Sequence, residues 1–215
     1  MHRAHDTGSR CRAALTMLDE TGERSRSHGL PKALLEAQAQ SMGLDLVFRS
    51  ATWGGYTDAF VDGLKELKAR GLTAGVFGDI DIEDHRQWVV DACEQAGVTP
   101  WHPIWQEDRR ALVDEGIRRG IRSRIVVVNT NHLPEDFLGR ELDAATVDAI
   151  ESAGADACGE NGEYHSLVTD APLMDRPLRV DVQETVRITG YAFHRLTLAS
   201  EWRFQGPGSA EKQRP

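Results

Sequence analysis

Residues 74–96, AGVFGDIDIEDHRQWVVDACEQA, contain the unit from which we predict the fold. The apolar run from Ala74 to Phe77 predicts a buried strand, and the polar loop GDIDIED follows directly after it. Apolar residues then recur at helical spacing on one face, which comprises Trp88, Val89, Ala92, Cys93 and Ala96. A strand, a polar loop and an amphipathic helix in succession are typical of an α/β fold.

The same alternation occurs on both sides of this stretch. We predict further strands over residues 12–18, 44–48 and 125–128, and the last of these is strongly β-branched. Helices are predicted from Pro31, from Thr57 as an N-cap, and over residues 108–119. The apolar faces of the first two comprise Leu34, Leu35, Ala39 and Met42, and Phe60, Leu64 and Leu67. This pattern predicts a doubly wound, mainly parallel sheet with helices on both faces.

The pattern changes after residue 130. A helix is predicted over residues 143–153, followed by short strands over residues 164–168, 178–182 and 186–198. We therefore divide the chain into an α/β domain over residues 1–130 and a smaller, strand-rich part over residues 131–204. Residues 205–215 have the composition of a disordered tail.

Composition excludes several classes of protein. The net charge of −9 disfavours a nucleic-acid partner, because the phosphate backbone would repel the chain. No apolar run approaches the length of a membrane span, and the opening residues lack the apolar core of a secretory signal, so we expect a cytoplasmic protein. The three cysteines show neither disulfide nor zinc spacing, so no metal ligands are assigned.

Polar, glycine-containing loops follow the predicted parallel strands, where open α/β sheets bind their ligands. The loop ERSRSHG offers Arg24, Ser25 and His28 as donors to an anion, although a hydrated loop is the simpler alternative. In GDIDIEDHR, Asp81 is a candidate helix cap, and the side chains of Asp79 and Arg86 would lie near the helix start. An ordinary capped helix with a surface ion pair would explain the second loop equally well.

The stretch CGENGEYHS, residues 158–166, concentrates ionisable side chains between glycines. Gly159 and Gly162 permit left-handed turns and close approach to a ligand, so Glu160 and Glu163 would project from a tight loop. A carboxylate there could bind Mg²⁺, orient ammonia or accept a proton, and His165 could share protons or bind a phosphate. The alternative is a simple turn with solvated acids.

Four motifs together resemble the diphthine-ammonia ligase family, whose ATP-binding domain is of the adenine nucleotide alpha hydrolase type. They are LTMLDETGERSRSHGL, VFGDIDIEDHRQWVVDACEQAG, HPIW and DACGENGEYHSLVTDAP, and the resemblance runs from about residue 15 to 172. It implies an enzyme with a Rossmann-like PP-loop fold that uses ATP with Mg²⁺ to adenylate a carboxylate, after which ammonia displaces AMP to give an amide. In eukaryotic and archaeal members the carboxylate belongs to diphthine, a modified histidine of elongation factor two.

The resemblance also suggests roles for individual residues. We predict that the catalytic residues are Glu160, Glu163 and His165. The predicted nucleotide-binding residues are Gly78, Asp79, Arg86, Arg24, Ser25 and His28. The predicted substrate-binding residues are Gly159, Asn161, Gly162, Tyr164 and Trp105. The expected partners are ammonia and a carboxylate on a small molecule or a protein, and a homodimer is also considered.

The sequence departs from the family at its start. Members begin with a strand and a Ser-Gly-Gly-x-Asp-Ser loop that holds the ATP phosphates, and nothing here matches that loop. We weigh a start codon assigned too far downstream, a truncated gene and a rearranged sheet. The alternative function is a degenerate nucleotide- or carboxylate-binding protein without turnover. Hydrolysis by a metal held at Glu160, Glu163 and His165 is disfavoured, because metal-binding sites usually contain more than one nearby histidine.

Overall fold

The computed structural model describes residues 1–200 and 202, so the predicted tail over residues 205–215 lies outside the described residues. The helices are α1 (His2–Asp6), α2 (Lys32–Ser41), α3 (Tyr56–Ala69), α4 (Glu83–Ala96), α5 (Arg109–Arg118) and α6 (Ala144–Ser152). The strands are β1 (Ala13–Leu18), β2 (Asp45–Ser50), β3 (Ala74–Val76), β4 (Thr99–Trp101), β5 (Arg122–Asn129), β6 (Tyr164–Asp170), β7 (Val180–Ile188) and β8 (Tyr191–Leu198). Short 3₁₀ turns occupy Trp53–Gly55 and Glu135–Phe137.

The first half of the chain contains parallel strands, as predicted, but they form two separate pairs. β1 pairs in parallel with β2, and β3 pairs in parallel with β4. An apolar groove of about 440 Å³ lies between the pairs and is lined by residues of both β1 and β3. α3 packs against β1, β2 and α4, and its residues also line the groove. The chain is therefore a mixed α/β structure, and among the described residues these strands do not join into one doubly wound sheet.

The second half forms a four-stranded sheet in the order β6-β5-β8-β7, and all of its pairings are antiparallel. Our expectation that residues 125–128 belong to the parallel sheet is wrong, because β5 is a central strand between β6 and β8. The central part of β5 is almost completely buried, and a strand buried on both faces has the same continuous apolar run in either kind of sheet. The strand predicted over residues 186–198 is also interrupted, since β7 ends at Ile188 and a turn through Gly190 leads into β8.

Two predicted helix caps are wrong and two helix starts are confirmed. α3 begins at Tyr56, and the hydroxyl of Thr57 instead accepts a hydrogen bond from the Trp88 indole at 3.1 Å. α4 follows Ile82 without a side-chain cap, because Asp81 is paired elsewhere. The helices predicted from about residues 108 and 143 are present, and the N-cap aspartate of each accepts a backbone N–H bond.

The largest core cluster joins the two halves of the chain. Leu34 and Leu35 of α2 are buried in one cluster with Val126 of β5, Leu167 of β6 and Leu196 of β8. This packing holds the loop between β1 and α2 beside the antiparallel sheet. α3 and α4 form a second core, and α6 packs near β5 in a third. Among the described residues, no helix combines the length and apolar character needed to cross a membrane.

Candidate functional site

The loop between β1 and α2 meets the loop before β6 at a polar pocket of about 310 Å³. The ring centroids of His28 and His165 lie 4.7 Å apart, with an angle of 47° between the ring planes. The pocket is lined by His28, Cys158, Gly159, Glu160, Gly162, Tyr164, His165 and Ser166. Six of the residues predicted for the site are therefore brought together here.

Glycine is required at position 159 by both backbone conformation and space. Its φ is +70°, and a Cβ atom there would lie 2.9 Å from the Tyr164 carbonyl oxygen and 3.0 Å from the tyrosine ring. The Tyr164 hydroxyl in turn donates to the Ala157 carbonyl at 2.6 Å. Gly162 also has a positive φ, +82°, but a Cβ atom there would have no neighbour within 4 Å. The loop is thus folded tightly against Tyr164, and Gly159 lies at the closest contact.

Glu163 does not project from the loop, contrary to our expectation. It is only 4% exposed, and its carboxylate accepts hydrogen bonds from the Asp156 N–H at 3.2 Å and from the Asn161 N–H at 3.0 Å. The Asn161 side-chain amide donates a third bond at 3.1 Å. Burial alone would raise the pKa of Glu163, but these hydrogen bonds outweigh burial and hold the pKa below its usual value. The Glu163 carboxylate therefore ties the two ends of the loop together.

Glu160 is placed differently from Glu163. Its backbone N–H donates to Asp156 at 2.8 Å, whereas its side chain is half-buried and lines the pocket. Burial raises the pKa of Glu160, and the nearby Asp156 adds to this effect while the Arg109 guanidinium opposes it. A carboxylate with a raised pKa is a better proton acceptor, so Glu160 is suited to acid–base chemistry.

The two imidazoles of the pocket are neutral at physiological pH. Burial lowers the pKa of His28 to about 4, and the neighbouring His165 ring contributes to this shift. Burial also lowers the pKa of His165. In the part of the chain that the structure describes, no hydrogen bond joins a ring nitrogen of either residue to another residue. Each ring can therefore offer one nitrogen lone pair to a ligand.

Arg109, at the start of α5, connects the GDIDIEDHR loop with the GENGEYH loop. Its guanidinium donates twice to Asp81, at 2.8 and 2.6 Å, and once to Asp156 at 2.9 Å. Asp156 also accepts the N–H groups of Cys158 and Glu160, so Arg109 fixes the backbone that carries Glu160. This contact was not predicted from the sequence. Asp156 lies inside a recognised motif, but nothing in the sequence distinguishes Arg109 from its neighbour Arg110.

The residues predicted to bind a nucleotide from the GDIDIEDHR loop form a second group. Asp79 lies 3.2 Å from the His102 imidazole, at the loop that begins with Gly78. Arg86 pairs with Glu83 at 3.0 Å, and its guanidinium lies 5.0 Å from the centre of the Trp105 ring. The predicted surface ion pair at the start of α4 is therefore present, and the Arg86–Trp105 contact places a cation and an aromatic face together.

Arg24 and Ser25 are used within their own loop. Arg24 donates to the Gly29 carbonyl at 2.9 Å, and the buried Ser25 hydroxyl accepts the Leu30 N–H at 3.0 Å. Neither lines the pocket that contains His28 and Glu160, so their predicted contact with a nucleotide stays a prediction. Within residues 1–200 and 202, no group of three or more His, Cys, Asp or Glu side chains is arranged to hold a metal ion.

Comparison with known proteins gives consistent matches over most of the chain. The family model for the diphthamide synthase N-terminal domain matches residues 2–100, and the model for the diphthamide synthase C-terminal domain matches residues 108–198. The chain is 28% identical to a diphthine–ammonia ligase of Danio rerio over 170 residues, which are 77% of this chain and 66% of that protein. It is 30% identical to the diphthine–ammonia ligases of Bos taurus and Homo sapiens over 135 residues, 60% of this chain and 51% of each of those proteins. The chain thus spans about half to two thirds of the length of these curated relatives.

Proposed function

Because the chain belongs to the diphthine-ammonia ligase family, we propose that it takes part in ATP-dependent amide formation between a carboxylate and ammonia. The observation that carries this proposal beyond the family match is the pocket in which Glu160, His28 and His165 meet. The attack of a nitrogen nucleophile uses a group that accepts its proton, which a carboxylate can do, and neutral imidazoles can accept its N–H hydrogen bonds.

The amidation step follows from these side chains. The ammonia nitrogen forms a bond to the activated acyl carbon, and the bond from that carbon to the phosphate oxygen of AMP breaks. AMP leaves with the electron pair, and Glu160 accepts the proton that the nitrogen loses. The raised pKa of Glu160 suits this role, because it brings the affinity of the carboxylate for a proton closer to that of the reacting groups.

The second group of residues would serve the nucleotide. Arg86 lies over the Trp105 ring. The positive charge of Arg86 suits a phosphate, and the aromatic ring of Trp105 suits an adenine. Gly78 and Asp79 would lie beside the nucleotide at the end of β3, where parallel strands present their ligands. Mg²⁺ would enter bound to the phosphates, as it usually does in ATP-using enzymes.

Arg109 would coordinate the two groups. By pairing with both Asp81 and Asp156, it holds the loop of the nucleotide group at a fixed position relative to Glu160. Such positioning is valuable because a catalytic group that moves by about 1 Å can lose a large part of its effect. Arg109 is thus proposed as a positioning residue.

The acceptor is proposed from the relatives alone. Their names identify diphthine as the substrate of those proteins, so a diphthine-like carboxylate carried by a protein is the first acceptor to test. A small-molecule carboxylate is the second. A cytoplasmic location stays a prediction from the sequence.

Release of pyrophosphate and AMP from ATP, in the presence of acceptor and ammonium, tests the proposal. We expect Glu160→Gln to reduce AMP release by about 100-fold or more, the usual contribution of a general base. Glu94→Gln, on the exposed face of α4, is the matched control and should leave the rate unchanged. Equal rates for the wild type and Glu160→Gln would refute the role of Glu160, and ATP binding without AMP release would favour a binding protein without turnover.

A further inference from the structure

The pocket at His28 and His165 contains few polar groups that are free to contact a ligand. The Tyr164 hydroxyl is used in a bond to the Ala157 carbonyl, and the Cys158 thiol donates to the Arg109 carbonyl at 3.0 Å. The side chains left to face the pocket are the two imidazoles, the Glu160 carboxylate and the Ser166 hydroxyl. The carboxylate only accepts hydrogen bonds, whereas each neutral imidazole and the hydroxyl can accept as well as donate.

The charge of the lining indicates which ligands the pocket would accept. Glu160 is the charged side chain among its lining residues, and neither lysine nor arginine contributes to the lining. A phosphate or a carboxylate would therefore meet a negative charge without a compensating cation. A small cation with several N–H donors would instead find a carboxylate and two imidazole lone pairs as acceptors.

We propose that the His28–His165–Glu160 pocket is the ammonium-binding site of this protein, with the two imidazoles and the Glu160 carboxylate accepting the N–H bonds of the ion. The inference rests on the proposed amide-forming function, for which ammonium supplies the nitrogen. It goes further by assigning His28, which lies in the loop after β1 and was predicted from the sequence to bind the nucleotide, to the binding of the ammonium ion.

The geometry supports this assignment. His165 is held by its place in β6, where it pairs with Val127 of β5, so the direction of its side chain is set by the sheet. His28 is held by a loop whose ends are joined by Arg24, Ser25 and Leu30. With ring centroids 4.7 Å apart, both rings reach the same small volume beside Glu160. Because burial keeps both imidazoles neutral, neither would repel the cation.

Nitrogen chemical shifts of the histidine rings test the proposal without ATP or acceptor. The wild-type chain, labelled with ¹⁵N-histidine, is titrated with ammonium chloride at a pH above about 6.5, the ordinary pKa of histidine, with sodium chloride and potassium chloride at matched ionic strength. We expect ammonium to move the ring signals of His28 and His165 with one common dissociation constant, and potassium to have a much smaller effect. His5 of α1, which is not among the residues that line either cavity at His28, is the internal control and should not respond.

Variants connect this binding to turnover. His28→Leu, which removes the acceptor nitrogen, should raise the KM for ammonium about tenfold, the usual effect of losing one hydrogen bond to a charged group, while the KM for ATP stays the same. His5→Leu, on α1, should change neither constant. The proposal is overturned if sodium or potassium moves the same signals as far as ammonium does, or if His5 responds equally. Ammonium binding without any amide formation would instead refute the proposed function and leave the binding site standing.

Discussion

Replacing Glu163 with glutamine should destabilise the protein, although it changes the side chain by only one atom. The carboxylate accepts three hydrogen bonds from Asp156 and Asn161 in a nearly closed environment. A glutamine side chain keeps one acceptor oxygen and turns an NH₂ group toward a donor that has lost its partner. A buried polar group without a partner costs about 1–3 kcal/mol, and hydrogen bonds to a charged acceptor are stronger than those to an amide. We therefore expect the free energy of unfolding to fall by ~2–3 kcal/mol.

Glu160→Gln is the matched control, because it makes the same chemical change three residues away. The Glu160 side chain is half-buried, and among the described residues no group donates a hydrogen bond to its carboxylate. Its replacement should change the free energy of unfolding by less than about 0.5 kcal/mol. Chemical denaturation of both variants, followed by circular dichroism, measures the difference. For a chain of this length, the Glu163→Gln change corresponds to a fall of ~4–12 °C in melting temperature.

The pH dependence provides a second check on the same residue. Because the folded state lowers the pKa of Glu163, its contribution to stability is present above the unfolded pKa of about 4.5 and is lost as the pH falls through the folded value. Glu163→Gln should therefore lose less stability than the wild type on acidification below that pH. Equal stabilities for wild type and Glu163→Gln, or equal losses for both glutamine variants, would refute the reasoning.

Three further predictions concern the surroundings of the pocket. Arg109→Gln should lower the free energy of unfolding, measured in denaturant, by about 1–2 kcal/mol more than Arg122→Gln does, because Arg122 pairs with Glu141 at the exposed surface and such pairs contribute little. Equal losses would contradict a loop-fixing role for Arg109. Gly159→Ala should lower the melting temperature more than Gly162→Ala, since both have left-handed backbone but only the first Cβ would collide with Tyr164, and the reverse order would contradict the loop geometry. Burial, with a contribution from His165, lowers the pKa of His28 to about 4. The stability that comes from burying His28 in its neutral form is therefore complete above about pH 6.5, its usual pKa, and is lost as the pH falls toward about 4. The melting temperature of His28→Gln should fall less over this pH range than that of the wild type.

The local elements of the fold were predictable because they depend on neighbours in sequence. Apolar periodicity located the helices α2 to α4, and the ranges predicted to begin at Asp108 and Asp143 correspond to α5 and α6. Most strands were also located, but β4 was not predicted. The pairing of β5 was not predictable from its own residues. A buried run such as residues 125–128 is equally suited to a parallel or an antiparallel sheet, and partners distant in sequence decide between them.

The candidate site was predictable as a set of loops but not as a set of contacts. The glycines of GENGEYH correctly indicated a tight turn, and Gly159 and Gly162 do have positive φ angles. The different environments of Glu160 and Glu163 follow from which backbone N–H groups lie within reach of each carboxylate, and this depends on the folded loop. The contact between His28 and His165 depends on packing of α2 against the antiparallel sheet, across 137 positions of sequence, so no local pattern could reveal it.

The central claim, that the chain joins ammonia to a carboxylate at the Glu160 pocket, is tested most directly by isotope incorporation. The chain is incubated with ATP, Mg²⁺, ¹⁵N-ammonium and a diphthine-bearing protein, and mass spectrometry measures ¹⁵N in the acceptor while AMP is quantified in the same sample. We expect one ¹⁵N amide for each AMP released, with both lost together in Glu160→Gln and retained in Glu94→Gln. AMP release without ¹⁵N in the acceptor, or ¹⁵N incorporation that is unaffected by Glu160→Gln, would contradict the claim.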